Sequence, residues 1–321
     1  MAIAPVVEKR FVDAVKEGHG APVDDPARAD ALIWVNPADP MGLGEVLRSS
    51  PARWVQLPFA GIESFFEAKV VDPKRTWTCA KGVYGPATAE HALALILAAA
   101  RRLMDHARAA SWRSGGGGFG APERRLKDST VLIVGTGGIG RALVPMLQPL
   151  GPRILAVNRS GKPLEGATAT ETTENLPHLL QQADFVVLAA ALTSETRGLF
   201  DELMLEYMKE DAWLVNVARG GLVVTDDLVK ALDHRTIGGA ALDVTDPEPV
   251  PDSHLLWFLD NVLITPHVAN TWDMALPELT ALVRRNVQHF AADEPLEGLV
   301  DAGAGYCWRF RCPPGMSILP R

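Results

Sequence analysis

Cysteine is scarce in this chain. Cys79, Cys307 and Cys312 are the only ones among 321 residues. So few thiols exclude a disulfide framework, and a reducing cytoplasm is the expected compartment. The Cys307/Cys312 spacing fits no recognised zinc pattern and has no histidine near it, so no metal is expected. Long apolar runs are also missing. The longest, Ala92 to Ala100, is too short to span a membrane. The opening MAIAPVVEKR lacks the charged-then-apolar order of a secretion signal. Positive charge is not concentrated anywhere: Lys and Arg are scattered, and the formal net charge is −8. Nucleic acid and anionic membrane are therefore not expected as main partners.

What the chain does have is a 47 % share of apolar residues, enough to bury a real core, and length enough for two domains. It is organised around VLIVGTGGIG, residues 131 to 140. Val131 to Val134 is an apolar, mostly β-branched run and reads as a buried strand. Gly135, Gly137 and Gly140 follow in GxGxxG spacing, and RALVPML continues as a helix. Gly135 permits a tight strand-to-helix turn. Gly137 lets a pyrophosphate approach the backbone, and Gly140 lets helix and strand pack closely. Glycines between a strand and a helix in this way predict a dinucleotide site at the helix N-terminus.

A further absence bears on which dinucleotide. The next strand, Arg153 to Val157, ends at Asn158-Arg159-Ser160. No carboxylate stands there to accept a hydrogen bond from the ribose 2′-OH of NAD. Neutral and cationic donors stand there instead, which suits a 2′-phosphate, so NADP is expected in preference to NAD.

Residues 1 to about 100 read as a small α/β unit. Its strands are expected at Ala2–Ala4, Ala31–Val35 and Trp54–Leu57, with helices at Glu8–Lys16 and Gly44–Arg48. The backbone around Gly61, in Phe59-Ala60-Gly61-Ile62-Glu63, could hold a small carboxylate or be a plain turn. Pro86 to about Leu103 is a strong helix, and its His91, like His106 beyond it, reads as a structural or surface histidine. Four glycines at 115–118 predict a mobile loop. From Thr130 to about Thr265 the pattern alternates. Strands are expected at Asp184–Ala189, Trp213–Val217, Ile237–Val244 and Val262–Thr265. Helices are expected at Thr173–Gln182, Asp201–Met208 and Asp226–His234, the last capped by Thr225. Pro145 should kink the helix after the glycines. This is a doubly wound parallel sheet. A helix over about 275–292 could return to the first domain, leaving it discontinuous with a cleft and two hinges. The fold class is α/β with two Rossmann-like domains. The boundaries are 1–100 plus 273–306 for a flavodoxin-like substrate domain, 101–272 for the dinucleotide-binding domain and 307–321 for an atypical, disordered tail.

Three residues at the ends of consecutive strands carry chemistry. Arg219 follows Val217-Ala218, Glu248 lies in DVTDPEP, and His267 follows Thr265-Pro266. Hydride transfer between a nicotinamide and a 2-oxo acid needs a cation to orient the carboxylate and polarise the ketone. It also needs an acid to protonate the new alkoxide. Arg219 suits the first task through bidentate geometry. His267 suits the second through its near-neutral pKa, and Glu248 would favour the imidazolium. Singly, each is also what a surface turn, a Pro-rich loop or a loop histidine contains. Together at one sheet edge they outweigh those readings. Asp243, at its strand end, is either a nicotinamide-side residue or a turn aspartate. Trp34, Asn36, Phe59 and Trp272 are expected to border the substrate.

GTGGIG, ALTSETRGL, NVARGGLVVTDDLVKAL, ALDVTDPEPVP and NVLITPHVANT, in this order, resemble the D-2-hydroxyacid dehydrogenase family. The resemblance runs from about residue 57 to 306 and includes GPATAEHALALILAAAR. It implies a two-domain homodimer with an interrupted catalytic domain, and Arg219, Glu248 and His267 as the catalytic set. It implies Gly138-Ile139 at the pyrophosphate, Val217-Ala218-Arg219 and Asp243 along the nicotinamide half, and Ala60-Gly61 at the substrate carboxylate. Asn158-Arg159-Ser160 resembles the NADP-using glyoxylate and hydroxypyruvate reductases of the family. A phosphoglycerate dehydrogenase-like enzyme ranks lower, because no basic cluster for a substrate phosphate is visible. A non-catalytic nucleotide-sensing protein ranks lower because the Arg, Glu and His set is intact. CWRFRCPPGMSILPR departs from the family's usual end.

Overall fold

The computed structural model describes residues 1–109, 112, 123–302 and 306–307. The four-glycine stretch at 115–118 and the tail beyond 307 lie outside the described residues. The chain divides into two compact units, Met1–Tyr84 with Trp272–Arg321, and Gly85–Thr271.

The first unit opens with β1 (Ala2–Ala4), α1 (Lys9–Glu17), β2 (Ala31–Trp34), α2 (Pro40–Ser49), β3 (Trp54–Gln56), α3 (Glu63–Glu67) and β4 (Thr76–Thr78). The strands form a parallel sheet in the order β1-β2-β3-β4. On the far edge of β1, the Val23 N–H donates to the Met1 carbonyl at 2.9 Å and the Met1 amino group to that of Ala21 at 2.7 Å. Residues 21–23 thus stand where an edge strand would, too briefly to be one. The winding reverses at β1, so α1 and α2 cover opposite faces. Phe11 and Val15 of α1 pack with Ile3, Ile33 and Trp54, whereas Leu43 and Leu47 of α2 pack with Leu32, Trp34 and Val55. Trp34 is therefore a core residue, 1 % exposed, and does not border a substrate. Its position in an all-buried strand turns it inward.

The second unit contains α4 (Gly85–Ala100), α5 (Leu103–Arg108), β5 (Thr130–Val134), α6 (Gly138–Leu147), β6 (Arg153–Val157), β7 (Ala169–Glu171), α7 (Leu176–Leu180), β8 (Phe185–Leu188), α8 (Glu202–Glu206), β9 (Trp213–Asn216), α9 (Thr225–Asp233), β10 (Gly239–Leu242) and β11 (Val262–Ile264). Its seven-stranded sheet has the order β11-β10-β9-β8-β5-β6-β7, with every pairing parallel. The order reverses between β5 and β8, the place where such sheets open a crevice for a ligand. α4 and α6 bury Ile96, Ala92, Leu143 and Leu147 against Val131, Ile133 and Val215 on one face. Leucines of α7, α8 and α9 cover the other.

The boundary falls at 84/85, not at 100, because α4 belongs to the second unit. Its buried side chains pack on α6 and on the sheet of that unit. α4 also ends earlier than expected: Arg102 takes a left-handed φ of 51°, and its Nε donates to Asp105 Oδ2 at 2.7 Å at the start of α5. Thr225 is not the cap of α9. It is the first helical residue, and its hydroxyl donates to the Asp246 carbonyl instead. α6 continues through Pro145 and stops at Leu147.

The chain then returns to the first unit as α10 (Trp272–Ala291), followed by β12 (Val300–Asp301) and β13 (Tyr306–Cys307). Ala275, Leu279 and Val283 of α10 join the α1 side of the core. Asn286, fully buried, donates to Gln56 Oε1 and the Glu297 carbonyl, both at 3.0 Å. Cys79 is disulfide-bonded, a bridge that the low cysteine count does not predict. Among the described residues, no helix is long and apolar enough to cross a membrane, and no His, Cys, Asp and Glu group could hold a metal.

Candidate active site at the carboxyl edge of the seven-stranded sheet

Strand register brings the candidate residues to one edge. Val134 pairs with Val157 and Leu188, Leu188 with Asn216, Asn216 with Leu242, and Leu242 with Ile264. The loops that carry Gly135, Asn158, Val217, Asp243 and Thr265 thus leave the sheet at the same level and in the same direction.

The glycine turn fits a dinucleotide. Gly135 has φ 104°, and a Cβ there would stand 2.6 Å from the Ala189 backbone. A Cβ on Gly140 would stand 2.5 Å from the Gly135 carbonyl oxygen, so helix and strand require glycine to approach. Gly137 differs: a Cβ there would meet only the Ala189 oxygen, at 4.0 Å. The backbone in front of Gly137 faces open space that a side chain would fill. Gly138 and Ile139 begin α6, whose first turn has N–H groups without intrahelical partners.

The turn after β6 bonds mainly within itself, with Asn158 N–H donating to the Glu171 carbonyl of β7 at 3.1 Å. Asn158 Oδ1 accepts from the N–H and the hydroxyl of Ser160, both at 3.0 Å, and Asn158 Nδ2 donates to the Lys162 carbonyl at 2.8 Å. Arg159 projects from this turn with its side chain 63 % exposed, 3.5 Å from Glu195.

The turn after β9 is braced from within. Buried Asn216 accepts from Ala218 N–H at 3.1 Å and donates to the Arg219 carbonyl at 2.9 Å. Arg219 Nη1 donates to the Ala218 carbonyl at 2.7 Å. Val217 and Ala218 are buried. Gly220 lies so close to the next loop that a Cβ would overlap the Thr245 carbonyl.

His267 Nδ1 and Glu248 Oε1 are 2.6 Å apart, with the side chains 49 % and 43 % exposed. The hydrogen bond to Glu248 holds the imidazole pKa above its ordinary value, against partial burial and the repulsion of Arg219. The same bond holds the Glu248 carboxyl below its ordinary value, helped by the positive charges of His267 and Arg219. The structure thus brings together all three residues, with the charge of Arg219 acting on both partners.

His267 takes a left-handed φ of 53°, a conformation that persists in a non-glycine residue only where its surroundings hold it. Asp243 provides the hold. Its main-chain oxygen accepts from His267 N–H at 2.9 Å. Its carboxylate, 1 % exposed, accepts from Val268 N–H at 2.9 Å, Ala269 N–H at 3.0 Å and the Thr265 hydroxyl at 2.6 Å. His91 of α4 reaches the same group: its Nε2 is 3.0 Å from Thr265 Oγ1 and 3.4 Å from Asp243 Oδ1. Sequence reasoning missed Asn216, Thr265, His91 and Gly220. His106, by contrast, is an exposed residue beside Glu123.

Ala60 and Gly61 lie in the first unit, between β3 and α3. Phe59 before them packs edge-on against Tyr84 at 5.4 Å and against Trp272 at 6.3 Å. Tyr84 Oη donates to the Pro58 carbonyl at 2.9 Å, and burial pushes its pKa up.

Known proteins share this architecture. The family profile described as "D-isomer specific 2-hydroxyacid dehydrogenase, NAD binding domain" matches residues 93–269. The chain is 43% identical over 260 residues to an "Uncharacterized protein in proB 3'region" of Corynebacterium melassecola, covering 79% of this chain and 84% of that one. It is 36% identical over 217 residues to "Glyoxylate reductase/hydroxypyruvate reductase" of Homo sapiens, covering 65% of each. A solved D-isomer specific 2-hydroxyacid dehydrogenase from Xanthobacter autotrophicus Py2, in complex with NADPH and MES, superposes with a TM-score of 0.82. The identity is 26%, over 95% of this chain and 98% of that one.

Proposed function

The chain belongs to the D-isomer specific 2-hydroxyacid dehydrogenase family of NAD(P)-dependent oxidoreductases, and on that premise we propose that it reduces a small 2-oxo acid of the glyoxylate or hydroxypyruvate type to the D-2-hydroxy acid, with NADPH preferred to NADH. The observation that carries this reading is the 2.6 Å pair of His267 and Glu248 under the charge of Arg219, at the sheet edge that carries the glycine turn.

Gly135, Gly137, Gly138, Ile139 and Gly140 hold the pyrophosphate. Val217, Ala218 and Asp243 would stand along the nicotinamide half, an assignment that rests on the resemblance. A bound dihydronicotinamide supplies the hydride. Arg219 clamps the substrate carboxylate and polarises the ketone. Ala60 and Gly61 are assigned to the carboxylate on the resemblance alone. Because Nδ1 of His267 is engaged by Glu248, Nε2 is the nitrogen that gives a proton to the developing alkoxide. Glu248 keeps the imidazole charged until that moment. In the opposite direction the neutral imidazole takes the hydroxyl proton back.

The cofactor preference rests on Asn158, Arg159 and Ser160. Arg159 is 63 % exposed and its ion pair with Glu195 is of a surface kind worth little, which suits a cation that meets a 2′-phosphate. The NADPH in the complex of the Xanthobacter relative supports the same preference. We further propose a cytoplasmic homodimer that binds neither nucleic acid nor membrane; the disulfide at Cys79 is the observation that counts against a reducing compartment.

Parallel assays of NADPH and NADH absorbance with glyoxylate, hydroxypyruvate, pyruvate and phenylpyruvate test the proposal. It predicts oxidation of NADPH with the two small polar acids. A clear preference for NADH would overturn the role of Asn158-Arg159-Ser160. Tight cofactor binding without turnover of any 2-oxo acid would favour a nucleotide-sensing protein.

A further inference from the structure

Thr265 has one hydroxyl proton, and at 2.6 Å it goes to Asp243 Oδ1. His91 Nε2, 3.0 Å from Thr265 Oγ1, must then be the donor to that hydroxyl oxygen, so His91 carries its proton on Nε2. The chain of donors runs from His91 to Thr265 to Asp243. Asp243 in turn accepts from the N–H groups of Val268 and Ala269 through its carboxylate and of His267 through its main chain. Both carboxylate oxygens are engaged in holding one turn, and His267 sits at the left-handed residue of that turn. Thr265 N–H also donates to the Leu242 carbonyl at 2.9 Å, which fixes Thr265 to the end of β10.

We propose that His91 and Thr265 are positioning residues for His267: they hold the Asp243 carboxylate in the orientation that fixes the left-handed turn and aims the imidazole. Neither is a catalytic residue. Their hydrogen bonds set where Asp243 points, and Asp243 sets where His267 and its partner Glu248 meet. The kinetic part rests on the reductase reading, but the geometric part does not.

The test uses Thr265→Val, His91→Leu and His91→Gln. Val keeps the shape of threonine and removes the hydroxyl. Gln keeps an N–H donor near the position of Nε2. The first two are expected to lower kcat for 2-oxo acid reduction by roughly 10- to 100-fold, the scale of a small misplacement of a catalytic group. His91→Gln should recover most of the loss. The second readout needs no cofactor: histidine-selective NMR of the free protein, with the His267 signal assigned by its absence from His267→Gln. Glu248, Arg219 and Asp243 are the charged groups that act on His267. A loosened turn weakens the Glu248 contact, so in Thr265→Val and His91→Leu the His267 pKa should fall toward the ordinary imidazole value. An unchanged His267 pKa in both variants would overturn the proposal, even with reduced turnover. So would a loss in His91→Gln as large as in His91→Leu. If the wild type reduces no 2-oxo acid, the reductase reading fails, and the NMR titration still decides the geometric claim.

Discussion

Two turns at the same sheet edge are built in opposite ways. The turn after β11 is tied to a neighbouring strand by the Asp243 carboxylate and main chain, and it forces His267 into a left-handed conformation. The turn after β6 bonds mainly to itself, through Asn158, and leaves Arg159 exposed. The difference follows from the tasks. A proton donor must meet a developing alkoxide within hydrogen-bond distance, so its geometry must be set in advance. A phosphate contact needs a mobile cation at a surface. The first turn should therefore be intolerant of change and the second permissive.

The largest effect is expected at the rigid turn. His267→Ala should lower turnover by about 10²- to 10⁴-fold while NADPH binding, measured by fluorescence titration, stays near wild type. Near-normal turnover would remove His267 from its role. Gly220→Ala comes next. Its Cβ would overlap the Thr245 carbonyl, so the Arg219 and Glu248 loops would be pushed apart. A loss of roughly 1–3 kcal/mol in unfolding free energy is expected from such overpacking, visible as a lower Tm, together with a higher KM for the 2-oxo acid.

Glu248→Gln should move the pH dependence more than the fold. The raised His267 pKa means that its share of the pair's stability is present below the ordinary imidazole value and lost as pH rises through the raised one. The depressed Glu248 pKa means that its share is present above the ordinary carboxylate value and lost as pH falls through the lowered one. The destabilisation by Gln is therefore fullest between about pH 4.3 and pH 6.5. It stays small, since both side chains are about half exposed. In kinetics, the alkaline limb of the reductive profile should shift to lower pH.

The smallest effect belongs to the permissive turn. Arg159→Ala should raise KM for NADPH about tenfold, the equivalent of one charged hydrogen bond, and leave KM for NADH unchanged. An equal change for both cofactors would show that Arg159 does not reach a 2′-phosphate.

The same contrast explains what could be read from the chain. Gly135, Gly137 and Gly140 follow Val131–Val134 in a spacing whose physics is local, so strand, turn and helix were all legible. β6 falls where expected, at Arg153–Val157. β4 and β7 were missed because Thr76-Trp77-Thr78 and Ala169-Thr170-Glu171 lack an apolar run, and each is a strand only by pairing with its neighbour. α4 reads as a helix in the sequence, but an almost uniformly apolar surface does not say which sheet it covers. At the site, Arg219, Glu248 and His267 were visible as unusual residues at strand ends. Thr265 and His91 were not, because their partner is Asp243 and the contact spans 174 residues from His91 to Thr265. No local pattern encodes such a distance. Asn216 was hidden inside a strand, where an amide reads as a minor interruption rather than a brace.

The most direct measurement is the pH dependence of kcat in both directions with the wild-type protein: reduction of hydroxypyruvate by NADPH, and oxidation of the matching D-2-hydroxy acid by NADP. A single proton held on His267 predicts opposite limbs. Reduction should fall as pH rises through the raised imidazole pKa, oxidation should rise through the same value, and both limbs should shift together in Glu248→Gln. Limbs that move in the same direction, or a profile that Glu248→Gln leaves in place, would contradict the assignment of His267 as the proton donor.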